Sequence, residues 1–257
     1  MIKKGLVQVS FIMVILFVTL QSCTNVGSGV KNNHNNEDIR TLYLIGDAKS
    51  IDRGYHHIID QEELLRGGYV VILPFYKKNN FNKANSIRFE FHKRQVMAVH
   101  ILDVYTKDSI SISDQVAIEN ARLICIVGDN TKNFIDYCRR SKLLDYINVA
   151  YNNSTALCTF NDILLAMGEQ YVSKKNVPKT KNGLGYIENS ILSFIRKKSQ
   201  IESNDNYKEK SIIEVNNSSC FAVYNGNNMV MIDGKTEITL PENTKITLER
   251  KGEIVLE

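Results

Sequence analysis

The chain has 257 residues, 43% of them hydrophobic and 23% charged, with a formal net charge of +4. That length and apolar content suffice for one sizeable α/β domain. A charge balance so near zero argues against nucleic acid as the main partner, because phosphate binding needs a concentrated basic surface.

The first residues read as a processing signal. Lys3 and Lys4 precede an apolar run from Phe11 to Leu20 that ends in Leu20-Gln21-Ser22-Cys23. Leu at minus three and a small residue before Cys resemble a bacterial lipobox, which implies a signal peptide over 1–22, cleavage before Cys23 and lipidation of that residue. The apolar core is short for a membrane span of about 20 residues. Loss of Lys3 and Lys4 takes the charge from +4 to +2, that is +4 less two. Residues 23–40 are rich in Asn, Gly and Ser and read as a flexible tether. The remainder, 41–257, is expected to form a single α/β domain.

Thr41 to Ile45 is a short apolar run ending in Gly46-Asp47, as a buried parallel strand would. A helix around Tyr55 to Arg66 follows, then a strand from Tyr69 to Phe75 and a helix from Phe81 to Arg94. Val96 to Val104 reads as a strand, Ser111 to Ala121 as a helix, Arg122 to Val127 as a strand, and Asn130 to Leu144 as a helix. This alternation calls for a doubly wound, mostly parallel sheet with helices on both faces, since each crossover needs a helix.

The stretch Ile147 to Met167 carries the functional question. Ile147, Val149 and Tyr151 read as a strand, Asn152-Asn153-Ser154-Thr155-Ala156 as a sharp polar corner, and the residues to Met167 as a helix. A nucleophile elbow places serine at such a strand-to-helix corner. Ser154 is equally well placed to cap the helix that follows.

Beyond Met167, Ser173 to Lys181 and Lys197 to Lys210 are polar, separated by Gly183-Leu184-Gly185-Tyr186 and an apolar segment from Ile191 to Ile195. From about 211 to 257 short strands alternate with Asn225-Gly226 and Asp233-Gly234, the dipeptides of tight hairpins. They read as an antiparallel extension on the edge of the main sheet.

Four pieces in order, Val127-Gly128-Asp129-Asn130, the Asn152-to-Ala156 corner, Gly183-Leu184-Gly185-Tyr186 and Ile213 to Phe221, resemble the cyanophycinase and peptidase E family of serine peptidases. The resemblance runs from Thr41 to about Thr239. It implies a flavodoxin-like fold similar to class I glutamine amidotransferases, and hydrolysis of peptide bonds next to aspartate by an elbow serine with a later histidine as base. It makes Ser154 the candidate nucleophile and Gly128, Asp129, Asn130, Asn153 and Thr155 candidate substrate-binding positions. The family's elbow reads Gly-Thr-Ser-Ala-Gly; here Asn152 and Ala156 replace both glycines. Its Asp-Gln-His-Phe segment corresponds to Ser193, Phe194, Ile195 and Arg196, and all five histidines (His34, His56, His57, His92, His100) precede Ser154.

An unassisted serine hydroxyl is protonated at neutral pH and needs a base. The substitutes on offer are His100, whose plain reading is a histidine packed within a strand, and Asp129, whose plain reading is a helix N-cap. No metal site or cofactor is implied: His56 and His57 point about 100° apart on a helix, and no CxxC spacing occurs. Cys125, Cys138, Cys158 and Cys220 read as buried free thiols. The expectation is therefore a lipoprotein of the bacterial envelope, its catalysis impaired, that binds a peptide or another envelope component between Asp129-Asn130 and the 152–155 corner. A serine peptidase or amidase acting on aspartyl or isoaspartyl peptides through Ser154 is the alternative, and a purely structural lipoprotein a third. Membrane attachment would be through lipidated Cys23; Thr24 lacks the aspartate of inner-membrane retention, which favours the periplasmic face of the outer membrane.

Overall fold

The computed structural model describes residues 39–47, 52–75, 78–105, 110–172, 180–194, 210–215, 220–226, 228–232, 237–239, 245–248 and 254–256. The signal peptide, Cys23, His34, most of the tether, Ile195 and Arg196, the polar stretches 173–179 and 197–209, and the Asp233-Gly234 turn lie outside them.

Strands β1 (Thr41–Ile45), β2 (Val70–Phe75) and β4 (Leu123–Gly128) arise from the continuous apolar runs and are buried along their whole length. Together with the short β3 (Val99–Ile101) and β5 (Ala156–Asn161) they form a parallel sheet in the order β1-β5-β4-β2-β3. Residues alternate between two cores. Leu42, Leu44, Ile124 and Ile126 enter one, and Tyr43, Ile45, Leu123 and Cys125 the other. Helices α1 (Asp52–Gln61) and α2 (Lys78–Lys93) cover the Tyr43 face. Helices α3 (Ile112–Glu119), α4 (Thr131–Arg140) and α5 (Leu143–Asn152), with the 310 helix Asp162–Met167, cover the other. The architecture is thus the expected α/β one, with helices on both sides of a mostly parallel sheet.

The C-terminal strands divide between two sheets. β10 (Cys220–Tyr224), β11 (Asn228–Met231) and β12 (Glu237–Thr239) extend the main sheet antiparallel from β1, and Asn225 and Gly226, both at positive φ, make the β10–β11 turn. A second sheet in the order β14-β13-β9-β8-β6-β7 contains β6 (Gly168–Val172), β7 (Thr180–Asn182), β8 (Ile187–Phe194), β9 (Ser211–Val215), β13 (Lys245–Leu248) and β14 (Ile254–Leu256). Its Tyr171, Ile187, Leu192, Ile213 and Val215 join the core of the Leu42 face. The hairpin region is therefore only partly an extension of the main sheet, because β9, β13 and β14 pair elsewhere.

The expected strand, corner and helix around Ser154 is replaced by helix, turn and strand. Leu143, Ile147, Ala150 and Tyr151 are buried at helical spacing while Val149 is 46% exposed, so the segment reads by 3.6-residue periodicity. Ala156 to Phe160 are all buried and paired with β4 on one side, and from Leu157 onward with β1 on the other. Ser154 is not an N-cap but the residue just past the C-cap of α5. Its φ is 65°, its N–H donates to the Tyr151 carbonyl at 3.2 Å, and the Thr155 N–H donates to Ala150 at 3.0 Å. That pair of bonds is the Schellman closure, which favours glycine at the left-handed position. The expected helix 130–144 also breaks, at Ser141-Lys142, into α4 and α5.

Cys125, Cys138 and Cys158 are buried and Cys220 half-buried, all as free thiols. Burial pushes the Cys138 thiol up to about 12, and the Cys158 thiol upward through burial and its hydrogen bond with Cys125. Glu62, Asp114 and Glu214 are buried carboxyl residues; at the first, the Tyr43 hydroxyl donates to Glu62 Oε1 at 2.8 Å, and Arg122 Nε donates to the Glu62 carbonyl at 3.1 Å. Burial raises the Glu62 acid, opposed by the Tyr43 hydrogen bond and the Arg122 charge.

A carboxyl whose folded pKa lies above its unfolded value of 4.5 favours folding below that value, and the contribution is lost as pH rises through the folded pKa. Glu62→Gln is expected to flatten the fall in unfolding free energy above pH 4.5. Urea midpoints measured across pH check this, and an unchanged slope would clear Glu62 of the effect. Ser154→Gly is expected to raise unfolding free energy by about 0.5 kcal/mol, the relief of left-handed strain less the added freedom of the unfolded chain.

Candidate functional site

In open α/β sheets ligands bind beyond the carboxyl ends of the strands, where successive connections leave on opposite faces. Two such crevices exist here. β2 leads to α2 and β4 to α4 on opposite faces; β1 leads to α1 and β5 to the 310 helix, again on opposite faces. The strand ends line up across the sheet, Phe75 beside Gly128 and Gly128 beside Asn161, and the pairing of Ile45 with Phe160 sets Gly46 next to Asn161.

Each position in this row has a distinct role. Gly128 is buried, and a Cβ there would lie 3.1 Å from the Ile163 side chain and 3.2 Å from Phe75 Cβ, so the 310 helix crosses the strand end only over a bare backbone. Asn130, rather than Asp129, caps α4, its Oδ1 accepting from the Asn133 N–H at 3.0 Å. That leaves Asp129 to pair with the Lys83 ammonium of α2, both side chains about a third exposed. Thr131 Oγ1 donates to the Asp162 carbonyl at 2.6 Å and ties α4 to the 310 helix. Asn80, in the first turn of α2, is fully buried; its Nδ2 donates to the Phe75 carbonyl, and its Oδ1 has no partner among the described residues.

Asn161 is the strained residue of the row. Its φ of 57° and ψ of −139° belong to neither helix nor sheet, and its half-buried side chain donates from Nδ2 to the Gly46 carbonyl at 3.2 Å. A sharp, strained turn from strand to helix at the carboxyl edge is the geometry of a nucleophile elbow. The elbow of this chain therefore falls at Asn161, at the opposite end of β5 from Ser154.

Of the six candidate site residues, the structure brings together Gly128, Asp129 and Asn130. Asn153, Ser154 and Thr155 sit at the amino edge, where Thr155 Oγ1 donates to the Ala121 carbonyl at 2.8 Å. At about 3.3 Å per residue along β5 the two groups are roughly 20 Å apart, so no single pocket spans them. His100 is exposed on β3, edge-on to Tyr69 at 5.4 Å, with β2 and β4 between it and β5. His56 is exposed; His57 is half-buried, and burial lowers its pKa. No group of three or more His, Cys, Asp or Glu able to hold a metal occurs among the described residues.

Sequence reading missed Asn161, Lys83 and Asn80. The signal for the first was present: a mostly apolar run, Ala156 to Phe160 with Thr159 its one polar residue, broken by Asn161-Asp162 in the strand following Gly128-Asp129-Asn130. An open groove of about 580 Å³ between α1 and α2, lined by Asp52, Tyr55, Asn85, Phe89 and Glu90, lies apart from this row. Its carboxylates Asp52 and Glu90 are committed to Arg94, whose guanidinium also lies 5.0 Å from the Tyr55 ring centre.

No protein-family model and no curated protein matches the sequence. Among solved structures the chain is similar to a peptidase from an acI-B1 Actinobacterium, with TM-score 0.57 and 14% identity over 85% of this chain and 97% of that one. It is also similar to a protein assigned to peptidase E from Listeria monocytogenes EGD-e, with TM-score 0.50 and 12% identity over 78% of this chain and 98% of that one. At such identities the likeness is one of fold, and the fold is the peptidase-like one that the sequence resemblance implied.

The roles of Asp129 and Asn130 separate by stability. Asn130→Ala is expected to lower unfolding free energy by about 1 kcal/mol through loss of the α4 cap. Asp129→Ala is expected to change it by less than about 0.5 kcal/mol, since its partner is partly solvated. Urea denaturation of the two variants checks the order, and a larger loss from Asp129→Ala would contradict it.

Proposed function

We propose that the chain is a lipid-anchored envelope protein whose peptidase-like domain binds a peptide or another envelope component at the carboxyl edge of its sheet and does not cleave it. The observation that carries this reading is Asn161 at the strand-to-helix corner. A carboxamide has no hydroxyl or thiol to attack a peptide carbonyl, whereas it both donates and accepts hydrogen bonds and suits recognition of peptide groups. Around it Gly46 offers a backbone carbonyl already in contact, and Lys83 and Asp129 offer one charge of each sign. Asn80 Oδ1, buried without a partner among the described residues, adds an acceptor of the kind a ligand N–H would satisfy.

Attachment rests on Leu20-Gln21-Ser22-Cys23 after a charged and apolar leader. Among the described residues no helix is long and apolar enough to cross a membrane. The periplasmic face of the outer membrane remains the favoured location, on the identity of Thr24. The location of Ser154 in the closure of α5 supports binding over a serine mechanism at that residue.

The chain incubated with aspartyl and isoaspartyl peptides is expected to leave them intact while one of them raises its melting temperature. At a hundredfold excess over Kd such binding stabilises by about 2.7 kcal/mol. Asn161→Ala or Lys83→Ala is expected to abolish the shift, and Ser154→Ala to leave it. Hydrolysis that disappears in Ser154→Ala would overturn the proposal. In cells, incorporation of labelled fatty acid that is lost in Cys23→Ala checks the anchor separately.

A further inference from the structure

Asn161 is followed directly by Asp162, the first residue of the 310 helix, and its ψ of −139° has a chemical consequence. Sheet and helix residues hold ψ near about +135° or −42°. Either value swings the next backbone nitrogen well away from the side chain. Substituents on a tetrahedral carbon are offset by about 120°, so ψ of −139° brings the Asp162 nitrogen within about 20° of eclipsing Asn161 Cβ. A five-membered ring closed through nitrogen, C, Cα, Cβ and Cγ requires that near-eclipsed arrangement. The fold thus holds at Asn161 the backbone torsion that an unstrained chain seldom visits.

We infer that Asn161 is a site of self-modification, converting from amide to acid through a cyclic imide formed with the Asp162 backbone nitrogen. The Asp162 nitrogen attacks Asn161 Cγ and the new N–Cγ bond forms. The Cγ–Nδ2 bond breaks, and Nδ2 leaves as ammonia, taking the proton from the attacking nitrogen. Water then adds to one of the two imide carbonyls and opens the ring, leaving either an aspartyl residue or an isoaspartyl link at 161. No electron transfer occurs, and water is the co-reactant. The reaction is independent of whether the domain binds or cleaves peptides.

Its effect falls on the crevice between β1 and β5. The Nδ2 that leaves is the donor to the Gly46 carbonyl at 3.2 Å. A carboxylate in its place only accepts, so two acceptor oxygens face each other and the link between the ends of β1 and β5 is lost. A negative charge is also added beside Asp129, whose partner Lys83 is already engaged. The amide and acid forms of the edge therefore differ in the hydrogen bonds and charge they offer a ligand.

Local sequence points elsewhere for this chemistry, to Asn182-Gly183 and Asn225-Gly226, where the following residue hinders least. The backbone geometry singles out Asn161, and that contrast makes the test. The full chain is incubated at mildly alkaline pH, folded in one series and in denaturant in the other. Digested samples are followed by mass spectrometry for amide-to-acid conversion and by isoaspartyl methyltransferase labelling. Conversion at Asn161 is expected to be at least about tenfold faster in the folded chain than in denaturant, the advantage of a backbone torsion already held at the value ring closure requires. In the folded chain it is also expected to outpace Asn182 and Asn225. Asn161→Gln, which would need a six-membered ring, is expected to lose conversion at this position. Folded-state conversion at Asn161 equal to or slower than in denaturant would overturn the inference, and that comparison needs no variant.

Discussion

The placement of β5 between β1 and β4 is the constraint on which the rest of the structure depends. A strand buried on both faces and paired on both edges, with β4 from Ala156 to Asn161 and with β1 from Leu157 to Phe160, is held in one register. Its register aligns Asn161 with Gly128 and, through β4, with Phe75. Once that row exists, the connections after β1, β2, β4 and β5 all leave from one edge. The crevices between them follow from topology.

The strain at Asn161 is held in place by the same frame. Left-handed φ in a non-glycine residue persists where the surroundings over-determine it. Here the ladder fixes the residue from one side, Thr131 holds the Asp162 carbonyl from the other, and the side chain reaches Gly46 across the crevice. Gly128 has no side chain to obstruct the 310 helix as it leaves that corner. The corner therefore keeps the form of a reactive elbow with an amide side chain in it. Polarity around it is mixed, with the Lys83–Asp129 pair adding charge but no net charge.

Much of this was legible from residue order. The runs Thr41–Ile45, Val70–Phe75 and Leu123–Gly128 are unbroken and apolar, as central parallel strands demand, and the structure keeps them as strands. Gly128-Asp129-Asn130 was readable as a strand end opening onto a helix. The error lay between Ile147 and Phe160, two short apolar segments separated by Asn152 to Thr155. Periodicity alone does not tell a buried strand from a buried helix at that length. Reading the first as strand and the second as helix put the corner at Ser154, one element too early and at the wrong edge. The exposure of Val149 between buried Ile147 and Tyr151 is a tertiary fact, set by which side of α5 meets the sheet.

The sequence by itself determined the class of fold: its alternation of apolar strands with amphipathic helices admits little besides a doubly wound parallel sheet, because parallel neighbours need crossovers. It also determined that no histidine follows position 154. Only the tertiary structure decided which residue stands at the corner, that Asp129 faces Lys83 while Asn130 caps α4, and that the last strands divide between two sheets. Those outcomes depend on register, and register is settled by long-range pairing between strands far apart in the chain, such as Ile45 with Phe160, which no local pattern encodes.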